Sequence, residues 1–255
     1  MSADCANRVD QWQELGFEER LRTTEEELKL MQETGFNTVR LIPEYIVWKE
    51  EHDGFMERFE RYISLCDKYG ISCMIVLAND CMPPKTELWK APYVGEQTYD
   101  WGYHGGKKHS QHGMHEGPAP HFYLDDPETR EDYFNFVREI VTTYKDDERI
   151  CVWDVYNEPG NSRRKDITLP NLKKMFEIVR EIDPIQPLTA GLFMMRSDES
   201  IPLCEVEQFS AENSDIITYH FYRDYNEHIK IIKRLKKEGR PIVNTEWLGR
   251  VFGND

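Results

Sequence analysis

The chain has 255 residues, 39% of them hydrophobic and 12% aromatic, enough for a large α/β domain with a substantial core. Its formal net charge of −15 works against nucleic acid or an anionic membrane as partner, and a neutral, hydroxyl-rich partner such as carbohydrate suits it better. No apolar run reaches the length of a membrane span and residues 1–20 carry no signal-peptide core. The expectation is therefore a cytoplasmic protein, or a secreted or periplasmic one if the native N-terminus lies upstream.

In chain order, Thr24-Glu-Glu-Glu27 reads as a capping box, followed by Leu28 and Met31 at helical spacing and closed by Gly35. Thr38–Ile42 reads as a strand. Phe55, Phe59, Tyr62, Ile63 and Cys66 then form one helical stripe that ends at Gly70, and Ile71–Leu77 is a nearly continuous apolar strand of the kind covered on both faces. A long loop spans 81–126. Asp126-Pro127 starts a helix whose buried face is Tyr133, Phe134, Val137, Ile140, Val141 and Tyr144. Strand Ile150–Tyr156, a helix near Leu172–Ile182, strands near Pro187–Phe193 and over Ile216–Tyr222, helix Tyr225–Glu238 and strand Ile242–Thr245 complete the order.

Strands alternating with helices predict a parallel sheet with right-handed crossovers, in a single domain over 1–255. Six strands are two short of the eight that close a TIM (β/α)8 barrel, so the expectation is an incomplete barrel lacking its first and last strands. Exposed strand edges in such a fragment predict self-association. The six cysteines, Cys5, Cys66, Cys73, Cys81, Cys151 and Cys204, show no metal-finger or disulfide spacing. No cofactor is expected.

Two strands end on a glutamate. Trp153-Asp-Val-Tyr-Asn-Glu-Pro159 carries Glu158 and Pro241-Ile-Val-Asn-Thr-Glu-Trp247 carries Glu246. In a parallel barrel both lie at the carboxyl ends of their strands, where active sites form, and two convergent carboxylates are what glycosidic bond cleavage requires. His220 and Tyr222 alternate onto one face of their strand. Asn79 and Asp80, at a strand end, are candidate sugar contacts, and Trp48 is a candidate stacking wall. The 81–126 loop holds His104, His109, His112, His115 and His121 among Trp89, Tyr93, Tyr99, Trp101, Tyr103, Phe122 and Tyr123. Its glycines and prolines leave no helical i,i+4 histidine pair, so aromatic platforms for sugar rings are expected there and no metal site.

Asn157-Glu158-Pro159, His220-Phe-Tyr222, Asn244-Thr-Glu246-Trp247 and Arg40 together resemble glycoside hydrolase clan A, the retaining (β/α)8 glycosidases, and most of all its family 5 cellulase-like proteins. The resemblance runs from about Asn7 to Gly253. It implies hydrolysis of β-glycosidic bonds in an oligo- or polysaccharide by double displacement, without a cofactor. Glu158 would be the acid/base on the fourth barrel strand and Glu246 the nucleophile on the seventh. Asn157 would bind the sugar 2-hydroxyl, Arg40 and Tyr222 would hydrogen-bond Glu246 and keep it ionised, and His220 would line the donor-sugar subsite. The expected separation of the two carboxyl groups is about 5–5.5 Å. The family's usual tryptophan on the eighth strand has no counterpart here, which leaves open a catalytically inactive carbohydrate-binding barrel. A metal-dependent hydrolase built on the histidine loop is the third alternative.

Overall fold

The computed structural model describes residues 5–81, 92–97 and 122–248. Most of the histidines and aromatics of the 81–126 loop, Trp89, Tyr99, Trp101, Tyr103, His104, His109, His112, His115 and His121, lie outside these residues. Among the described residues six strands alternate with helices, and every strand pairing is parallel. β1 (Thr38–Leu41), β2 (Ser72–Val76), β3 (Ile150–Tyr156) and β4 (Leu188–Ala190) lie side by side in chain order. β5 (Ile217–His220) pairs with β6 (Ile242–Glu246), and a bridge between Leu192 and Tyr219 continues the order from β4 to β5. This is the α/β, TIM-barrel class, with successive parallel strands joined through helices.

The helices form where the apolar period is 3.6 and the ends are capped. α1 (Arg8–Trp12) is capped by Asn7, whose side chain accepts from the Asp10 N–H. α4 (His52–Lys68) buries Phe55, Phe59, Tyr62, Ile63 and Cys66. α6 (Pro127–Tyr144) starts where Asp126 accepts the Glu128 N–H with proline in the first turn, and it buries the six residues its sequence stripe picks out. α7 (Leu169–Ile182) links β3 to β4, α8 (Glu205–Asn213) links β4 to β5, and α9 (Tyr225–Leu235) links β5 to β6. None of the described helices is long and apolar enough to cross a membrane.

One local expectation is corrected, and short helices are added. Thr24 does not cap a helix: α2 (Phe17–Thr34) begins at left-handed Gly16 and carries Thr24 buried in its interior. Phe17 extends the buried stripe backwards, with the Arg61 and Arg58 guanidinium carbons 5.2 and 5.8 Å from its ring centre, so packing outweighs the local capping signal. A short helix, α3 (Tyr45–Glu50), follows β1 and was not anticipated. The single turn α5 (Phe122–Asp125) and the nine-residue helix α8 were also not anticipated.

The core divides into a large cluster beneath β1–β4 and a smaller one of Leu192, Met195, Ala211, Ile217, Tyr219, Phe221, Ile231 and Leu235 beneath β5–β6. Trp12 plugs the large cluster from one end, 5.2–5.9 Å from the rings of Phe55, Phe59 and Tyr62, with its indole N–H donated to the Ile42 carbonyl at 2.8 Å.

Candidate active site

The site gathers at the carboxyl ends of β1, β3, β5 and β6. Two register irregularities aim its carboxylates. In β6, Tyr219 pairs with Asn244 but His220 pairs with Glu246, so Thr245 is the extra residue of a bulge. The Asn244 side chain holds this bulge by accepting the Glu246 N–H at 3.1 Å, while its amide nitrogen lies 3.1 Å from His228 Nε2. In β3 the register slips between Asp154 and Tyr156, just before Asn157 and Glu158.

Glu158 stands at the start of an uncommon loop. Its φ is 46°, and Gly160, Ser162, Arg163 and Lys165 follow with φ of 91°, 52°, 61° and 49°. A non-glycine residue in this region costs on the order of 1 kcal/mol or more, so the loop persists only because its surroundings over-determine it. The glycine is required: a Cβ on Gly160 would meet the Lys165 carbonyl oxygen at 3.0 Å and Val206 Cγ1 at 3.1 Å.

At the centre, one oxygen from each of Glu158 and Glu246 and a ring nitrogen of His220 lie within 4.8 Å of one another. His220 Nδ1 is 2.6 Å from Glu158 Oε1 and 3.5 Å from Glu246 Oε2. The second Glu158 oxygen accepts a hydrogen bond from the Asn161 amide. His220 is fully buried, and its ring leans on Gly191, where a Cβ would come 3.3 Å from Nε2.

Glu246 is held from the other side. Arg40 Nη1 donates to its Oε1 at 2.7 Å, and the Tyr222 hydroxyl donates to its Oε2. Burial raises the Tyr222 pKa, and the Glu246 charge raises it further, so the phenol stays a donor. Arg40 also binds Asp154 Oδ2, through Nε at 3.0 Å and through Nη2, and it donates to Asn157 Oδ1 at 2.6 Å. Burial works against the guanidinium charge, but Asp154 and then Glu246 outweigh it and leave the Arg40 pKa above its ordinary value. Asp154 is fully buried, and its Oδ1 has no partner among the described residues.

The structure thus brings Arg40, Asn157, Glu158, His220, Tyr222 and Glu246 together. Asn79 enters indirectly: its Oδ1 accepts from Asn157 Nδ2 at 2.6 Å and from the Cys81 N–H at 2.9 Å, so it orients Asn157. Two expected contacts are displaced. Trp48 lies on α3 inside the core, stacked on Tyr45 at 5.9 Å and donating its indole N–H to Glu139 at 2.7 Å; a helix after β1 turns it away from the strand ends. Asp80 is fully buried and turned into the protein, where Arg164 Nε at 3.0 Å, the Tyr156 hydroxyl at 2.9 Å, the Gly160 N–H at 2.8 Å and the Thr168 hydroxyl surround its carboxylate. Asp154 and Asn161 were missed. Asp154, a lone carboxylate inside the apolar strand run 150–156, was the readable signal; Asn161 had none.

Among the described residues, Glu158, His220 and Glu246 are the group that could ligate a metal. Both Glu246 oxygens are already engaged by Arg40 and Tyr222, and a guanidinium at that distance disfavours a second cation. Two carboxylates, one backed by a guanidinium and a phenol and the other by a histidine and an amide, are equipped for nucleophile and proton-donor roles.

Known proteins carry the same arrangement of elements. Mannan endo-1,4-β-mannosidase F of Aspergillus clavatus is 24% identical over 219 residues, covering 76% of this chain and 45% of that protein. The chain therefore spans less than half the length of this curated relative. Among solved structures, an exo-β-1,4-mannosidase from Opitutaceae bacterium strain TAV5 superposes with a TM-score of 0.59 at 16% identity, covering 97% of this chain and 44% of that one. The β-mannanase of the blue mussel Mytilus edulis superposes with a TM-score of 0.56 at 13% identity, covering 89% and 71%. The sequence profile of the cellulase family matches residues 7–252. The chain accordingly belongs to the cellulase family, glycosyl hydrolase family 5.

Proposed function

We propose that this chain carries the catalytic centre of a retaining β-glycosidase, with Glu246 as nucleophile and Glu158 as acid/base. The observation that carries this reading is the convergence of the two carboxylates, one oxygen of each lying within 4.8 Å of the other, the close approach that suits attack by one carboxylate at the carbon whose leaving group the other protonates. The environments support the division of roles. Arg40 and Tyr222 satisfy Glu246 as an anion. Glu158 faces His220 and Asn161 instead.

In the first step a Glu246 oxygen attacks the anomeric carbon, the glycosidic C–O bond breaks, and the Glu158 proton passes to the departing oxygen. In the second, Glu158 takes a proton from water, whose oxygen attacks the same carbon and releases Glu246. Asn157, fixed between Arg40 and Asn79, is placed for the sugar hydroxyl beside the nucleophile. The relatives' names make β-1,4-linked mannan the first substrate to test. A 2-deoxy-2-fluoro β-glycoside with a dinitrophenyl leaving group should label the protein at Glu246 with one sugar, and Glu246→Gln should abolish labelling. Labelling that survives in Glu246→Gln would sink the nucleophile assignment.

A further inference from the structure

The β3–α7 loop that presents Glu158 contains five residues at positive φ, yet its anchor is not in β3 or α7. It is Asp80, in the segment that follows β2. Its carboxylate accepts from Tyr156 two residues before Glu158, from the Gly160 N–H two residues after it, and from Thr168 and Arg164 where the loop enters α7. Its backbone is tied to the same segment: the Asp80 N–H donates to the Asn157 carbonyl at 3.1 Å, and the Ser162 hydroxyl donates to the Asp80 carbonyl at 2.7 Å. Arg164, itself buried, is held in turn by both oxygens of Asp125 at 2.8 and 2.6 Å.

A buried carboxylate surrounded by a cation, two hydroxyls and a backbone N–H is strongly directional, because each donor that rotates away is left unsatisfied in a dry interior. The two donors nearest the site flank Glu158 on either side in sequence. From this geometry we infer that Asp80 is the positioning residue of the acid/base: it sets the conformation of the loop that aims the Glu158 carboxyl at the leaving group. Its action on Glu158 runs through that loop. The inference rests on the acid/base reading of Glu158 and goes beyond it by assigning the control of that carboxyl to a residue in the segment after β2.

Acid assistance matters in proportion to how poor the leaving group is, so aglycone dependence separates positioning of the acid from general loss of structure. The test compares the chain with its Asp80→Asn and Tyr156→Phe variants on 2,4-dinitrophenyl and phenyl β-mannobiosides, with the matching β-cellobiosides alongside. For Asp80→Asn, kcat/KM on the phenyl glycoside should fall about 100-fold, the scale of a displaced general acid, and on the dinitrophenyl glycoside by no more than about 5-fold. Azide should raise kcat of Asp80→Asn on the dinitrophenyl substrate, since it attacks the glycosyl-enzyme without a general base and frees Glu246 as a β-glycosyl azide forms. Tyr156→Phe removes one bond to Asp80 at little cost in shape; it should show the same selectivity at about 5-fold, and it decides the matter if Asp80→Asn does not fold. Equal losses on both aglycones, or no loss on either, would overturn the inference while leaving the glycosidase reading intact. An unmutated chain inactive on all four substrates would overturn both.

Discussion

Replacing Arg40 with methionine removes more than a site residue. The guanidinium makes its bonds to Glu246, Asn157 and Asp154 at once, and Asp154 is fully buried. Without Arg40 that carboxylate is an unpaired charge in the interior, a loss worth about 3–5 kcal/mol. For a chain of this size each kcal/mol shifts the midpoint by about 2–4 °C, so Arg40→Met should melt roughly 6–20 °C lower. Adding Asp154→Asn removes the stranded charge and should restore stability to within about 1 kcal/mol. Activity should not return: Glu246 still lacks its cation and Asn157 its anchor, and kcat/KM should stay down by about 100-fold or more in both variants. Urea unfolding and calorimetry measure the first effect, and steady-state hydrolysis of an aryl β-glycoside measures the second. If Asp154→Asn leaves Arg40→Met as unstable as before, the buried-charge argument is wrong.

Two further outcomes are expected. Burial raises the pKa of Glu207, on α8, despite the N–H groups of Met194, Met195 and Phe193 around it. A carboxyl whose folded pKa lies above its unfolded value favours folding fully below the unfolded pKa and loses that contribution as pH rises through the folded one. Glu207→Gln, which keeps the acceptor used at 2.7 Å by Met194, should match the unsubstituted chain in acid and become relatively more stable as pH rises above about 4.5; a gap that narrows with rising pH would contradict this. Gly191→Ala should press a methyl against His220 Nε2 at 3.3 Å and lower kcat by about 10-fold with little change in melting temperature, whereas unchanged kcat would mean that the ring has room to move.

The elements that could be read along the chain were those whose burial follows a local period. β3 was legible over Ile150–Tyr156, and α6 with its cap and buried face, because one side of a regular element meets the core throughout. Thr24 misled because a capping box is a local signal, and Phe17 packing beneath two arginines carried the helix past it. Trp48 and Asp80 misled for a different reason: position after a strand says that a residue is near the mouth, but not which way it faces. The helical turn after β1 sends Trp48 into the core, and the donors that turn Asp80 inward come from residues 156–168 on another strand and loop.

By itself, the sequence determined the alternation of strand and helix and the placing of two glutamates at strand ends, since both follow from spacing and side-chain type. Tertiary structure decided how those glutamates differ. A bulge at Thr245 aims one at Arg40, and a strained loop braced by Asp80 aims the other at His220 and Asn161. Such contacts join residues far apart in the chain, and their strength depends on burial, which only the packed fold supplies.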